Sequence, residues 1–203
     1  MKSIVLSSRI KLDKYNKINF LIDEDLANFI NHLNVNIFPI SFKKKKINFK
    51  NLDSAKGLIL AGGGDIYEYK KTKENKIRDN YEKDLFNYFS EKNKPILLIC
   101  RGFQLLAKLN NIKLTKIKNH VRKSHLLKLN KSKYVHCPAL NVNSYHQYMV
   151  DRLPNDYTNI ANTKDGSIEI AEHKNKKILC LMFHPERSMV SKNLILKYLK
   201  SFF

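Results

Sequence analysis

Pro95-Ile96-Leu97-Leu98-Ile99-Cys100-Arg101-Gly102-Phe103-Gln104-Leu105-Leu106 begins as a strand and ends as a helix. The four apolar residues after Pro95 read as a strand buried on both faces, and Phe103, Leu106 and Ala107 recur at helical spacing once Gly102 has passed. Cys100 stands on the bend between them. A tight strand-to-helix turn lifts its central side chain clear of the sheet and aims the unpaired N–H groups of the new helix at whatever that side chain attacks. Helix N-termini and neighbouring positive charge, here Arg101, favour the thiolate, the nucleophilic form. A lone cysteine in an apolar run is more often a buried structural residue. The elbow therefore has to be weighed against the rest of the chain.

The 203 residues are enough for one domain, 1–203, with a sizeable core. Cys100, Cys137 and Cys180 have no CxxC spacing and are odd in number, which suits a reducing compartment. The apolar run at Met1–Leu6 is too short for a signal peptide and nothing later approaches a membrane span, so the expectation is a cytoplasmic protein with no membrane partner. The net charge of +20 invites a nucleic-acid reading, but 32 of the 38 basic residues are Lys and only six are Arg, the cation that reads bases and phosphates bidentately. No nucleic-acid partner is expected, and the one dense run, Lys43 to Lys46, reads as a solvated loop. The basic surface does favour a small anionic substrate.

Along the chain, Ser3–Ser7 and Val35–Ile40 read as strands flanking a helix over Asp23–Leu33, whose apolar face is Leu26, Phe29, Ile30 and Leu33. Gly57–Ala61 is a buried strand that breaks into Gly62-Gly63-Gly64-Asp65, a turn able to present N–H groups to an anion. Tyr81, Leu85, Tyr88 and Phe89 mark an amphipathic helix over 79–90. This alternation implies an α/β fold, a mostly parallel sheet with helices on both faces and chemistry at the carboxyl ends of its strands. Asn110 to Val142 weakens into short alternating pieces, read as hairpins or a small antiparallel insertion. Ser167–Ala171 and Lys177–Phe183 are two further strands, and Leu194, Ile195, Tyr198, Leu199 and Phe202 face a closing helix.

The second of those strands ends at His184-Pro185-Glu186, so His184 and Glu186 follow Cys100 by 84 and 86 residues. A cysteine nucleophile needs a base to take its proton and a carboxylate or amide to orient that base, and these three residues supply the set. His-Pro-Glu alone would be an ordinary turn. Together with the elbow it becomes a candidate triad that requires no metal. His120, His125 and His136 lack zinc-finger spacing and read as surface or packing residues, as do Cys137 and Cys180.

Six motifs occur in order: Gly62-Gly63-Gly64-Asp65-Ile66, Arg78-Asp79, Ile99-Cys100-Arg101-Gly102-Phe103-Gln104, Asn143-Ser144-Tyr145-His146-Gln147, Asp165-Gly166-Ser167-Ile168-Glu169 and Phe183-His184-Pro185-Glu186. With them the chain resembles the class I glutamine amidotransferase family, in its free-standing gamma-glutamyl hydrolase (peptidase C26) branch. The resemblance implies a flavodoxin-like sheet, Cys100 as nucleophile, His184 as acid and base, Glu186 as its orienting partner, and no cofactor. It implies an oxyanion hole from the backbone N–H groups of Gly63 and Arg101, with Gly64, Gln104, Ser144, Tyr145 and His146 around the substrate. Arg78 stands either at the mouth of the site or in a surface ion pair. The implied substrate is a small gamma-glutamyl conjugate, with gamma-glutamyl-CDP-amidate, cleaved to glutamate and cytidine diphosphoramidate for capsular polysaccharide, the best match. A polyamine conjugate, or a glutaminase subunit feeding ammonia to a separate synthase, are the alternatives within the family; a non-catalytic protein binding anions or nucleic acid is the alternative outside it. One departure stands out: relatives carry glycine where this chain has Leu98.

Overall fold

The computed structural model describes residues 2–203 apart from 41, 44 and 45. Its centre is a seven-stranded sheet. In chain order the strands used below are β1 (Lys2–Ser7), β2 (Val35–Phe38), β3 (Leu58–Leu60), β4 (Ile96–Ile99), β5 (Val121–Lys128), β6 (Ala139–Tyr145), β7 (Tyr157–Asn162), β8 (Ile168–His173) and β9 (Ile178–Leu181). The helices are α1 (Glu24–His32), α2 (Lys73–Glu91), α3 (Arg101–Leu109) and α4 (Lys192–Phe202). The sheet order is β7-β8-β9-β4-β3-β1-β2; β9 through β2 run parallel and β7 and β8 add an antiparallel edge. The two strands beside the centre, β3 and β4, are buried along their whole length, as the unbroken runs Leu58–Leu60 and Ile96–Ile99 require.

From β1 the chain crosses outward through α1 to β2, then returns to the other side of β1 as β3 and advances through α2 to β4. Right-handed crossovers in opposite directions place α1 on one face and α2 on the other. The α3 helix joins α2, packing against it and against β9. The direction reverses between β1 and β3, and a parallel sheet opens a crevice at the carboxyl ends of its strands where this happens. Asp23 and Thr72 cap α1 and α2 through their side chains, accepting from the backbone N–H groups of Leu26 and Asn75.

Leu98, in place of the family's glycine, is fully buried and pairs in register with Leu60 on one side and Cys180 on the other, so the sheet interior accommodates it. The glycine after the nucleophile has no such latitude: a Cβ on Gly102 would lie 2.6 Å from the Leu60 carbonyl oxygen, because α3 starts hard against β3. The expected antiparallel insertion is a separate pair, β5 with β6. Two features have no counterpart in the sequence reading, strand β7 and the hairpin Arg9–Leu12 with Ile18–Leu21 that follows β1. Of the lysine run, Lys44 and Lys45 lie outside the described residues, while Lys43 and Lys46 pair across a short antiparallel ribbon. No helix among the described residues is long and apolar enough to cross a membrane.

Candidate active site

Cys100, at the end of β4, adopts φ +45° and ψ −95°. For a non-glycine residue this is strained backbone, held by the buried strand before it and by the helix that begins at Arg101. His184 follows β9, the parallel neighbour of β4, so the two strands deliver thiol and imidazole to the same end of the sheet. The two side chains meet over Gly62, whose added Cβ would lie 2.5 Å from His184 Cε1 and 3.4 Å from Cys100 Cβ. Glu186 reaches the same ring, with His184 Nδ1 2.5 Å from Glu186 Oε1. That contact leaves Nε2 as the ring atom for the thiol. Burial alone would lower the pKa of His184, but Cys100 and Glu186 outweigh it by charge and hydrogen bonding and push the pKa up to about 10.

Asn143, part of the Asn143–Gln147 motif but given no role in the sequence reading, fixes the backbone of His184. Asn143 donates from Nδ2 to the His184 carbonyl oxygen at 2.8 Å and accepts from the His184 N–H at 2.9 Å, pairing with the backbone as another strand would. Its neighbours on β6 explain the rest of the motif. Alternate side chains leave a strand on opposite faces. Asn143 and Tyr145 thus face His184, the Tyr145 ring meeting the imidazole edge to face at 5.9 Å. Ser144 and His146 face the other way: Ser144 donates to the His120 carbonyl oxygen and His146 sits against His120 and Glu169. The expectation for Ser144 and His146 is corrected only as to their side chains, which turn away from His184. Gln104 is buried and donates to the Tyr148 carbonyl oxygen at 2.9 Å.

Arg78 is also corrected: it reaches neither the mouth nor the surface. It is buried under the glycine turn, where it donates to the carbonyl oxygens of Ala61, Gly62 and Gly63 and pairs with Glu82 at 2.7 Å. In a trans peptide the N–H points opposite to its C=O. Drawing the Gly62 and Gly63 carbonyls down to Arg78 therefore turns the N–H groups of Gly63 and Gly64 away from it. Those two glycines take φ of +85° and +76°. Arg101 behaves likewise. Its guanidinium is buried among Glu82, Asp79 and the Asp65 carbonyl oxygen, so its positive charge is neutralised beneath the elbow instead of standing beside the thiol. Only its backbone N–H remains for the site. Glu82 joins both arginines and Ser7. Burial would raise the pKa of its carboxyl, but Arg101 and Arg78 more than compensate and hold it below the ordinary value.

Above the turn, Gly62, Gly63, His184 and Glu186 share a cavity with Arg9 and Arg187. Arg9 comes from the hairpin after β1, is about half exposed and pairs with Asp23 at 3.1 Å. The Arg187 guanidinium lies 4.4 Å from the centre of the Tyr145 ring. Gly64 does not line this cavity. The remaining cysteines are free thiols away from the cavity, and burial pushes both Cys180 and Cys137 upward in pKa.

Comparison with known proteins accords with this geometry. A model of the peptidase C26 family matches residues 9–186. A gamma-glutamyl-CDP-amidate hydrolase of Campylobacter jejuni is 33% identical over 149 residues, 73% of this chain and 70% of the relative. A glutamine amidotransferase-like protein of Lactococcus lactis is 30% identical over 175 residues, 74% of this chain and 73% of the relative. Among solved structures, a glutamine amidotransferase from Thermotoga maritima superposes with a TM-score of 0.73 at 16% identity, over 99% of this chain and 96% of that one, which shows the shared fold. The chain belongs to the peptidase C26 family and is a hydrolase of amide bonds.

Proposed function

We propose that this chain hydrolyses a gamma-glutamyl amide through a thioester on Cys100, and that the group leaving with the nitrogen is anionic. The observation that carries the reading is the convergence of Cys100, His184 and Glu186 beside the glycine turn. Cys100 thiolate attacks the side-chain carbonyl carbon, and the oxyanion is met by the backbone N–H groups of Gly63 and Arg101. Each such donor is commonly worth roughly 3 kcal/mol of barrier. His184 passes its proton to the departing nitrogen as the C–N bond breaks. It then takes a proton from water, which attacks the thioester and releases glutamate.

The imidazolium supplies the proton for the leaving nitrogen, so hydrolysis fails as pH rises through the His184 pKa of about 10. Glu186→Gln removes one of the charges that raises this value. In that variant the alkaline limb of kcat/KM against pH is expected at lower pH, with kcat reduced about 10²- to 10⁴-fold; an unmoved limb would contradict the role given to Glu186.

The leaving group is read from Arg9 and Arg187. The cavity they share with the triad holds about 20 Å³, room for a single water, so most of a conjugate must lie at its rim, where these two guanidiniums stand. Planar guanidinium forks suit phosphate oxygens. A nucleotide phosphoramidate such as gamma-glutamyl-CDP-amidate, the compound named for the Campylobacter jejuni relative, fits this rim, whereas a polyamine conjugate would bring positive charge against it. Purified protein incubated with phosphoramidate, polyamine and neutral anilide conjugates should release glutamate fastest from the first. Arg9→Gln and Arg187→Gln should each raise KM for the phosphoramidate about 10-fold or more and leave the anilide nearly unchanged. Equal loss on both substrates would remove the anionic reading. A glutaminase subunit would instead stay silent until its synthase was added.

A further inference from the structure

We propose that His120, His146 and Glu169 form a site for one divalent transition-metal ion of the zinc class, separate from the catalytic triad. The three come from different segments: His120 precedes β5, His146 follows β6 and Glu169 lies on β8. All three are buried, at 1%, 3% and 0% exposure. Their spacing in the sequence carries no metal-binding signature, which is why the chain alone gave no reason to expect an ion.

Hydrogen placement singles these three residues out. His120 Nε2 lies 2.9 Å from Asp165 Oδ2, and His146 Nδ1 lies 3.2 Å from the Tyr148 carbonyl oxygen. Carboxylate and carbonyl oxygens only accept, so each of these ring nitrogens bears the N–H. In the neutral rings the other nitrogens, His120 Nδ1 and His146 Nε2, are then bare lone pairs. They lie 3.2 Å from one another. His146 Nε2 is also 3.3 Å from Glu169 Oε1, and His120 Nδ1 is 4.0 Å from it. Three acceptors thus converge with no hydrogen between them. Nearby hydroxyls do not relieve this, because Ser144 donates to the His120 carbonyl oxygen at 2.6 Å and Ser167 donates to Glu169 Oε1 at 2.8 Å. Glu169 Oε2 is buried with no hydrogen-bond partner among the described residues.

A cation at the centre resolves all of these contacts at once. Ligand atoms about 2.0–2.1 Å from a tetrahedral zinc ion lie roughly 3.3 Å from one another, and two of the three separations match this. The free Oε2 gives the carboxylate a second atom to offer. Both histidines already have the outer partner that metal-bound imidazoles have, Asp165 for one and the Tyr148 carbonyl for the other. Asp165, the outer partner of His120, also lines a cavity of about 770 Å³ on that side of the cluster. The rival occupant is a single proton on His146 Nε2, which would bridge to His120 Nδ1 and Glu169 Oε1 but leave Glu169 Oε2 without a partner.

The ion would tie the β5–β6 insertion to the main sheet on the face of β6 opposite Asn143 and Tyr145. Its role is to hold the strand that holds His184, with no part in the chemistry. The test uses the full chain without a histidine tag, stripped by chelator and then titrated with zinc against a chromophoric chelator, and with cobalt followed by visible absorption. One equivalent of zinc, tetrahedral cobalt bands and a raised Tm are expected. His146→Ala and Glu169→Gln should abolish the stoichiometric uptake, while His136→Ala, an exposed histidine outside the cluster, should keep it. Asp165→Asn changes a half-exposed side chain that a folded protein tolerates, and should weaken binding about 10- to 100-fold. Absence of uptake by the folded wild-type chain in large zinc excess, or uptake unchanged in both His146→Ala and Asp165→Asn, would overturn the proposal.

Discussion

Glu82→Ala is expected to destabilise the fold by about 3–5 kcal/mol, the range for removing one partner of a buried ion pair and leaving the other charge uncompensated. Glu82 is fully buried between Arg78 and Arg101, which are themselves 2% and 0% exposed, so both guanidiniums would lose a countercharge that water cannot replace. Asp79 would still face Arg101, but Arg78 has no second carboxylate among the described residues and would retain only the backbone carbonyls of the glycine turn. Urea unfolding of the wild type and the variant measures the difference. The same variant should lose hydrolysis even where it remains folded, because Arg78 fixes the peptides of Gly62 and Gly63 and Arg101 anchors the elbow. A loss of stability below about 1 kcal/mol, of the kind surface pairs show, would mean that the network does not support the site.

Gly62→Ala is expected to spare the fold and remove most activity. The added Cβ would stand 2.5 Å from His184 Cε1 and 3.1 Å from Nδ1, and the imidazole has little freedom to retreat, being held by Glu186 on one edge and by Asn143 through its backbone. A displacement of about 1 Å in a reacting group can cost 10²-fold, so kcat/KM should fall by about that factor or more. Overpacking of this kind costs about 1–3 kcal/mol. Kinetics alongside urea unfolding separates the two effects, and a variant within a few-fold of wild-type activity would mean that the imidazole does not work from the position it occupies.

The elbow, the glycine turn and the His184–Glu186 pair were legible in the sequence because each sits where an apolar run ends; that β4 and β9 are parallel neighbours, which brings two of those ends together, is a matter of sheet order. The arginines were less legible. Arg78 read as a residue of the mouth or of a surface ion pair and Arg101 as a charge beside the thiol, and their burial depends on Glu82, whose position on α2 relative to two loops is a tertiary fact. The motif at Asn143–Gln147 was visible but its polarity was not: which of Asn143, Ser144, Tyr145 and His146 face the triad depends on strand register, and a shift of one residue exchanges the two sets. Arg9 was missed because Arg9–Leu12 is only four residues long, and the hairpin that brings it over the glycine turn is a tertiary arrangement. Glu169 and the two histidines gave no metal signal for the related reason that three separate segments, and not one spacing, bring them together.

The most direct measurement is mass spectrometry of the protein quenched during turnover of a gamma-glutamyl amide, with the Cys100-containing peptide isolated under acid. The account predicts a glutamyl adduct on Cys100 that disappears on dilution into buffer as glutamate is released, and neither adduct nor glutamate from Cys100→Ala. Turnover that persists in Cys100→Ala, or an acyl group found on another residue, would contradict it.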